Sequence, residues 1–119
     1  MKPFVYVKAP AEMTLEAFAA LFRELFPNVA LEERYSDNYY RGSYYRADLN
    51  QRRTTLSYAS EEHGAEYPFW VAVGGPKDGA QAALVDSIAG AIASRGFAAF
   101  IPKEHVDDFS EGTRYEAKA

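Results

Sequence analysis

Tyrosine and arginine side chains are concentrated in one stretch of this sequence, and they are the groups best suited to do its chemistry. The stretch from Arg34 to Tyr58 contains six tyrosines and five arginines. They are Tyr35, Tyr39, Tyr40, Tyr44, Tyr45 and Tyr58, with Arg34, Arg41, Arg46, Arg52 and Arg53. Both types are enriched where proteins contact partners, because each combines apolar area with directed hydrogen bonds. The stretch therefore predicts a binding surface, but it does not identify what is bound.

Seven side chains are the predicted contacts with a partner. Six belong to the tyrosine- and arginine-rich stretch, and the seventh is the tryptophan of an apolar segment that follows it. They are Tyr39, Tyr40, Arg41, Tyr44, Tyr45, Arg46 and Trp70. Only Asp37 and Asp48 oppose the arginines of the stretch, whereas the whole chain has a net charge of −4.

The two histidines are the first candidates for catalysis or metal binding. His63 and His105 each have carboxylates close by in the sequence, as a metal site or an acid–base pair needs. Neither has the spacing of a known ligand motif, and both segments are predicted to be exposed. The chain has no cysteine and no G-x-S-x-G sequence around a serine nucleophile. The sequence therefore predicts no metal, no cofactor and no catalytic residue, and it favours a protein that is not an enzyme.

The glycine-rich segment from Gly74 to Gly79 could hold an anion, because it leads from a strand into a helix N-terminus. Its spacing matches neither the P-loop nor the dinucleotide-binding motif, and Asp78 would repel a phosphate. A tight turn is the favoured interpretation.

Length and composition predict one acidic domain spanning residues 1–119, with a frayed tail over about 110–119. We find no signal-peptide pattern and no apolar run of the ~18 residues that a membrane span needs. The cytoplasm is the predicted location. The pI of about 5.2 disfavours nucleic acid and anionic lipid as partners.

Hydrophobic periodicity predicts the element order β-α-β-β-β-β-α-β. Thr14 is the expected N-cap of the first helix and Pro27 its end, whereas Asp78 and Gln81 form a capping-box pattern for the second. Strands are predicted at Phe4–Val7, Val29–Tyr35, Tyr39–Ala47, Arg53–Ala59, Tyr67–Val73 and Phe97–Ile101.

This order predicts an α+β two-layer sandwich, with one mostly antiparallel sheet and both helices on one face. The predicted helical core residues are Phe18, Phe22, Leu25, Leu84, Ile88 and Ile92. The Tyr67–Val73 strand is apolar on both of its sides, so it should place Trp70 on the face away from the helices. A large aromatic group on such a face is usually covered by a ligand, a second copy or a partner.

The combined profile resembles that of small bacterial immunity proteins, which bind and block a cognate toxin. The resemblance lies in size, acidity, absence of cysteine, absence of catalytic motifs and a sheet backed by helices. It implies a protein-binding module whose partner is a toxin domain. Acidic loops would steer a basic toxin; their residues are Glu61, Glu62, Glu66, Glu104, Asp107 and Asp108.

Two other functions remain open. One is a ferredoxin-like small-molecule-binding protein or enzyme, in which Tyr39, Arg41, Tyr44 or Trp70 would contact a ligand in a pocket beside the sheet. The other is a structural homo-oligomer that buries its aromatic sheet face against a second copy. Single-stranded nucleic acid is disfavoured, because the chain lacks the strand motif of RNA-recognition domains and has too many strands between its helices.

Overall fold

The computed structural model describes residues 3–10, 12–59, 66–104 and 109–118 of the protein. Seven strands and two helices are formed by these residues. In chain order they are β1 (Phe4–Val7), α1 (Leu15–Leu25), β2 (Glu32–Tyr35), β3 (Ser43–Leu49), β4 (Arg52–Tyr58), β5 (Phe69–Val73), α2 (Gly79–Ser94), β6 (Ala99–Pro102) and β7 (Gly112–Tyr115).

The strands form one sheet in the order β2-β3-β4-β5-β1-β6-β7, and every pairing is antiparallel. Strands β2 to β5 make the predicted meander. Strand β1 lies between β5 and β6, so residues from the beginning of the chain are in the interior of the sheet. The predicted α+β sandwich is confirmed, with both helices packed on the sheet.

The main core lies between the helices and the sheet. Phe18 of α1 stacks on Phe69 of β5 with ring centroids 4.9 Å apart, and both residues are fully buried. Of the six predicted core residues, Leu25 is only half-buried, because it lies at the rim of the core; Phe18, Phe22, Leu84, Ile88 and Ile92 are buried.

The helix ends follow the predicted caps in part. The Thr14 hydroxyl accepts a hydrogen bond from the Ala17 amide (3.1 Å), and the Asp78 carboxylate accepts one from the Gln81 amide (2.9 Å). The second half of the capping box is absent, because the Gln81 side-chain amide donates instead to the Val73 carbonyl (3.0 Å). Gln81 therefore fastens the start of α2 to the end of β5.

The predicted strand at Tyr39–Ala47 begins later in the structure, at Ser43. Residues 36–42 form a turn in which the Ser36 amide donates to the Gly42 carbonyl (2.9 Å). Arg41 and Gly42 have φ values of 65° and 81°, a left-handed conformation that lies outside the β region of regular strands. The strand also extends further than predicted, through Leu49.

The predicted fraying beyond Phe109 is wrong for Gly112–Tyr115, which is strand β7 and pairs with β6. The Tyr115 hydroxyl donates to the Asp86 carboxylate on α2, and the Lys118 amide donates to the Ala93 carbonyl (3.0 Å). The sequence of this segment does not indicate a strand, because an edge strand is held through its backbone and needs few apolar side chains.

Candidate binding face of the sheet

One cross-strand row runs over the sheet on the side away from the helices. Neighbouring residues in this row face each other across the ladders in the order Arg34, Tyr44, Ser57, Trp70, Tyr6, Phe100 and Arg114. We call the sheet face that carries this row the open face. Because side chains alternate along a strand, the residues directly before and after each of these positions in its strand point to the helices.

One end of the open face is a second, smaller core. Tyr6 and Phe100 are each only 1% exposed, although neither of the two described helices covers them. Tyr67 and Phe109 lie over them from outside the strands, with their own rings stacked at 4.9 Å. Arg114 lies over the Phe100 ring at 4.7 Å. We call Tyr6, Tyr67, Phe100 and Phe109 the aromatic cluster.

Trp70 lies at the middle of the open face and is half-buried. Its ring stacks on that of Phe4 (4.8 Å, 14° between planes) and lies 5.6 Å from that of Tyr6. The indole N–H donates to the Ser57 hydroxyl. The ring is therefore held in a fixed orientation while part of its surface stays open to a partner.

The other end of the open face is basic, and we call Arg34, Tyr44, Arg46 and Arg53 the basic end. Tyr39 stacks on Tyr44 with ring centroids 3.9 Å apart.

Two carboxylates lie among these arginines. Arg34 forms an ion pair with Glu32 (2.9 Å), and Asp48 faces Arg53 across the β3–β4 ladder. The Arg46 side chain makes no hydrogen bond or ion pair with the residues that the structure describes. The guanidinium of Arg46 is therefore available to a partner beside a fixed aromatic pair.

The structure brings together four of the seven predicted contact residues. Tyr39, Tyr44, Arg46 and Trp70 belong to the open face. Tyr40 is 43% exposed but lies in the turn before β3.

Arg41 and Tyr45 lie elsewhere. Arg41 packs over the Tyr58 ring (4.1 Å), and the Tyr58 hydroxyl accepts from the Leu15 amide at the start of α1. Tyr45 is 5% exposed on the helix side, where its hydroxyl donates to Glu33 (3.0 Å). Burial, together with the Glu33 carboxylate, raises the pKa of Tyr45.

Sequence reasoning missed the residues that surround Trp70. The alternation of Phe4 and Tyr6 with Val5 and Val7 indicates a strand with two apolar sides, and this pattern could have placed both aromatic residues on the open face. Arg114 could not be found in this way, since its segment was predicted to be frayed.

The Gly74–Gly79 turn is held by Arg52 of β4. Arg52 donates to the carbonyls of Pro76 (2.9 Å) and Gly74 (3.3 Å), and to the Asp78 carboxylate (2.8 Å). The Gln81 amide and then Arg52 lower the pKa of Asp78 below its usual value. Asp78 thus occupies the position at the helix N-terminus that an anion would take.

The two histidine candidates cannot be placed in the structure. His63 and His105 lie outside the described residues, and among the residues described no group of three or more histidines and carboxylates could hold a metal.

The described part of the chain has no helix that combines the length and apolar character needed to cross a bilayer.

Two shallow grooves, of about 380 and 570 Å³, lie at the rim of the fold. The first is lined by the end of α1 and the β3–β4 turn, and the second by residues near Lys8, Phe97 and Glu116. Tyr39, Arg41, Tyr44 and Trp70 line neither groove.

Comparison with protein-family models, with curated proteins and with solved structures finds no match. Inferences about function therefore depend on the geometry of the open face.

Proposed function

We propose that the protein is a non-catalytic protein-binding module, and that Trp70 and the basic end of its open face form the contact surface. One observation carries the proposal: Trp70, which is held in place and half-exposed, lies on the same sheet face as Arg46, whose guanidinium has no partner among the described residues. Tryptophan, tyrosine and arginine are the residues that most often dominate binding energy at interfaces.

The charges of the open face indicate which charged groups a partner would present. The strands of the open face carry four arginines but only two carboxylates, although the chain as a whole is acidic. The arginines are Arg34, Arg46, Arg53 and Arg114, and the carboxylates are Glu32 and Asp48. A guanidinium binds carboxylates with paired, charge-assisted hydrogen bonds. The partner is therefore a protein surface that presents carboxylates beside apolar side chains.

The resemblance to immunity proteins supports a cytoplasmic role in which this partner is a bacterial toxin domain. In that role the exposed Glu66 and Glu104 attract the basic regions of the toxin domain at long range, whereas the open face makes the direct contacts with a patch that presents carboxylates. The remaining residues of the predicted acidic loops lie outside the described residues.

The test is capture of partners on the immobilised protein from an extract of the native host, followed by titration of each purified candidate. Trp70→Ala and Arg46→Ala should each weaken binding by about 2 kcal/mol, as at interface hot spots. Arg95→Ala is the matched control, because Arg95 is exposed and pairs with Glu24 in the helix layer; we expect a change within about 0.5 kcal/mol.

Three outcomes would contradict the proposal. The first is a partner whose affinity is the same for all three variants. The second is capture that disappears on nuclease treatment, which would make nucleic acid the occupant of the open face. The third is a small metabolite that raises the melting temperature while no protein is captured.

A further inference from the structure

The outer edge of β2 is a second candidate interface, separate from the open face. β2 pairs only with β3 in the sheet of described residues, and all four of its residues are exposed. Tyr35 is 75% exposed, the highest value among the large hydrophobic side chains that the structure describes. Such an edge presents unpaired backbone groups that can pair with another strand.

The direction of these backbone groups follows from the β2–β3 ladder. The Ser36 amide bonds to the Gly42 carbonyl, so hydrogen-bonded pairs fall at Arg34–Tyr44 and Glu32–Arg46. The amide and carbonyl groups of Glu33 and Tyr35 therefore point away from β3. They are the groups that an added strand would meet.

The charges of β2 are complementary to those of a second β2. In an antiparallel pair of two copies centred on Glu33, each Glu32 faces Arg34 of the other copy. This register makes Glu33–Glu33 a hydrogen-bonded pair and Glu32–Arg34 a non-hydrogen-bonded pair, in which opposed side chains are closest. A register centred on Arg34 would instead place the two arginines opposite each other.

The register also extends a charge pattern that already exists in one copy. Glu32 faces Arg46 across the β2–β3 ladder. In the pair of copies, Glu32 would lie between Arg46 of its own chain and Arg34 of the other chain. A short, charged edge strand normally discourages pairing, but here the charges alternate in sign and one register matches them.

We propose that two copies of this chain associate through their β2 edges in the register centred on Glu33. The twofold axis is perpendicular to the sheet, so the two open faces lie side by side on one continuous sheet. A contact of four residues per strand is small, and interfaces below about 1,200 Å² belong to weak encounters. The dimer is therefore concentration-dependent, with a Kd in the micromolar range or weaker.

The Glu33–Glu33 pair is the unfavourable contact in this arrangement, on the helix side of the sheet. The Tyr45 hydroxyl donates to the Glu33 carboxylate and reduces the repulsion only in part. Glu33→Gln removes the opposed charges and should tighten the dimer several-fold, because like charges placed directly opposite each other destabilise strand pairing.

Sedimentation velocity over a concentration series of the full chain tests the proposal at low salt. Arg34→Glu alone and Glu32→Arg alone should each weaken association by about tenfold or more, since both cross-copy pairs become repulsive. An equimolar mixture of these two variants should associate again, because each Glu32–Arg34 position then regains opposite charges. Arg114→Glu, on the opposite edge strand β7, should leave association unchanged.

Circular dichroism of each variant before mixing shows whether it is folded. Association that returns in the mixture of folded variants then shows that each single variant had lost a contact and not its fold. A wild-type chain that stays monomeric up to about 1 mM, the Kd range of the weakest complexes, would overturn the proposal. So would a mixture of folded variants that remains monomeric. Association abolished by Arg114→Glu or Trp70→Ala, but not by Arg34→Glu, would assign the dimer to β7 or to the open face.

Discussion

The two faces of the sheet use similar residue types in different environments. On the helix side, Tyr45 is buried and hydrogen-bonded to Glu33, and Arg52 donates to two carbonyls and a carboxylate. On the open face, Tyr44 is half-exposed, and the guanidinium of Arg46 has no hydrogen bond or ion pair with any described residue. A tyrosine- and arginine-rich sequence therefore does not itself define a surface. The alternation of side chains along each strand divides them into structural side chains and side chains available to a partner.

The largest expected effect tests the helix side. Phe22 is fully buried, and its ring contacts that of Phe26 at 4.8 Å. Phe22→Ala should lower the free energy of unfolding by about 3–5 kcal/mol, because a cavity remains where the ring was. Urea unfolding measures it, with Tyr44→Ala on the open face expected to cost about 1 kcal/mol or less. A loss below about 1 kcal/mol for Phe22→Ala would place this residue outside the core.

Phe100 tests whether the aromatic cluster is a true second core. The residue is 1% exposed, but Tyr67 and Phe109 cover it from the solvent side and can move inward. Phe100→Ala should therefore cost about 3 kcal/mol, at the low end for a buried phenylalanine. If unfolding shows a cost under about 1 kcal/mol, the cluster is a surface and belongs with the binding residues.

The two arginines on opposite faces give the next comparison. Arg52→Met should lower the free energy of unfolding by about 2 kcal/mol, because the Gly74 and Pro76 carbonyls lose a charged donor. Arg46→Met should change it by about 0.5 kcal/mol or less. Equal losses in chemical denaturation would contradict the distinction between a structural and an available arginine.

Tyr115 gives the smallest effect, and it depends on pH. Burial and the hydrogen bond to Asp86 raise the pKa of Tyr115 to about 12 from the ordinary 10.0. The neutral tyrosine is the form that the fold stabilises. This contribution is fully present below pH 10 and is lost as the pH rises through about 12.

Tyr115→Phe should therefore cost about 1 kcal/mol at pH 8, a value reduced because Asp86 is exposed. The difference from wild type should shrink between pH 10 and 12 in urea titrations. A difference that does not change with pH would show that the hydroxyl contributes only through packing.

The parts of the fold that leave a local pattern of side chains could be predicted from the sequence. The stripes of both helices, the caps at Thr14 and Asp78, and the β2–β5 meander follow from local periodicity and turn chemistry. The position of β1 between β5 and β6 did not follow, because pairing between distant strands leaves no local pattern. β7 could not be predicted, because its pairing with β6 holds it in place and its own composition does not indicate a strand.

The residue types of the candidate site could be predicted from the sequence, but not which individual residues belong to it. The Tyr39–Tyr45 segment carries tyrosines on both parities, so alternation alone could not decide which of them face the helices. Pairing with β4 decides it for Tyr44, which lies opposite Ser57, and for Tyr45, which lies opposite Leu56. The left-handed residues Arg41 and Gly42 form the turn that leaves Tyr39 outside the strand. Glycine at 42 is also a steric need, because a Cβ there would lie 2.3 Å from the Tyr35 ring.

The central position of β1 has a consequence for how the chain reaches its native state. Phe4 pairs with Ala72 and Tyr6 with Phe100, so both partners of β1 lie far along the chain. Contacts of such sequence separation form slowly, because closing a long loop costs chain entropy before any pairing compensates for it. The β2–β5 meander, built from neighbouring segments, can form first. We therefore expect a slow final folding step in which β1 enters the gap between β5 and β6, and until then the apolar side of α2 has only part of its docking surface.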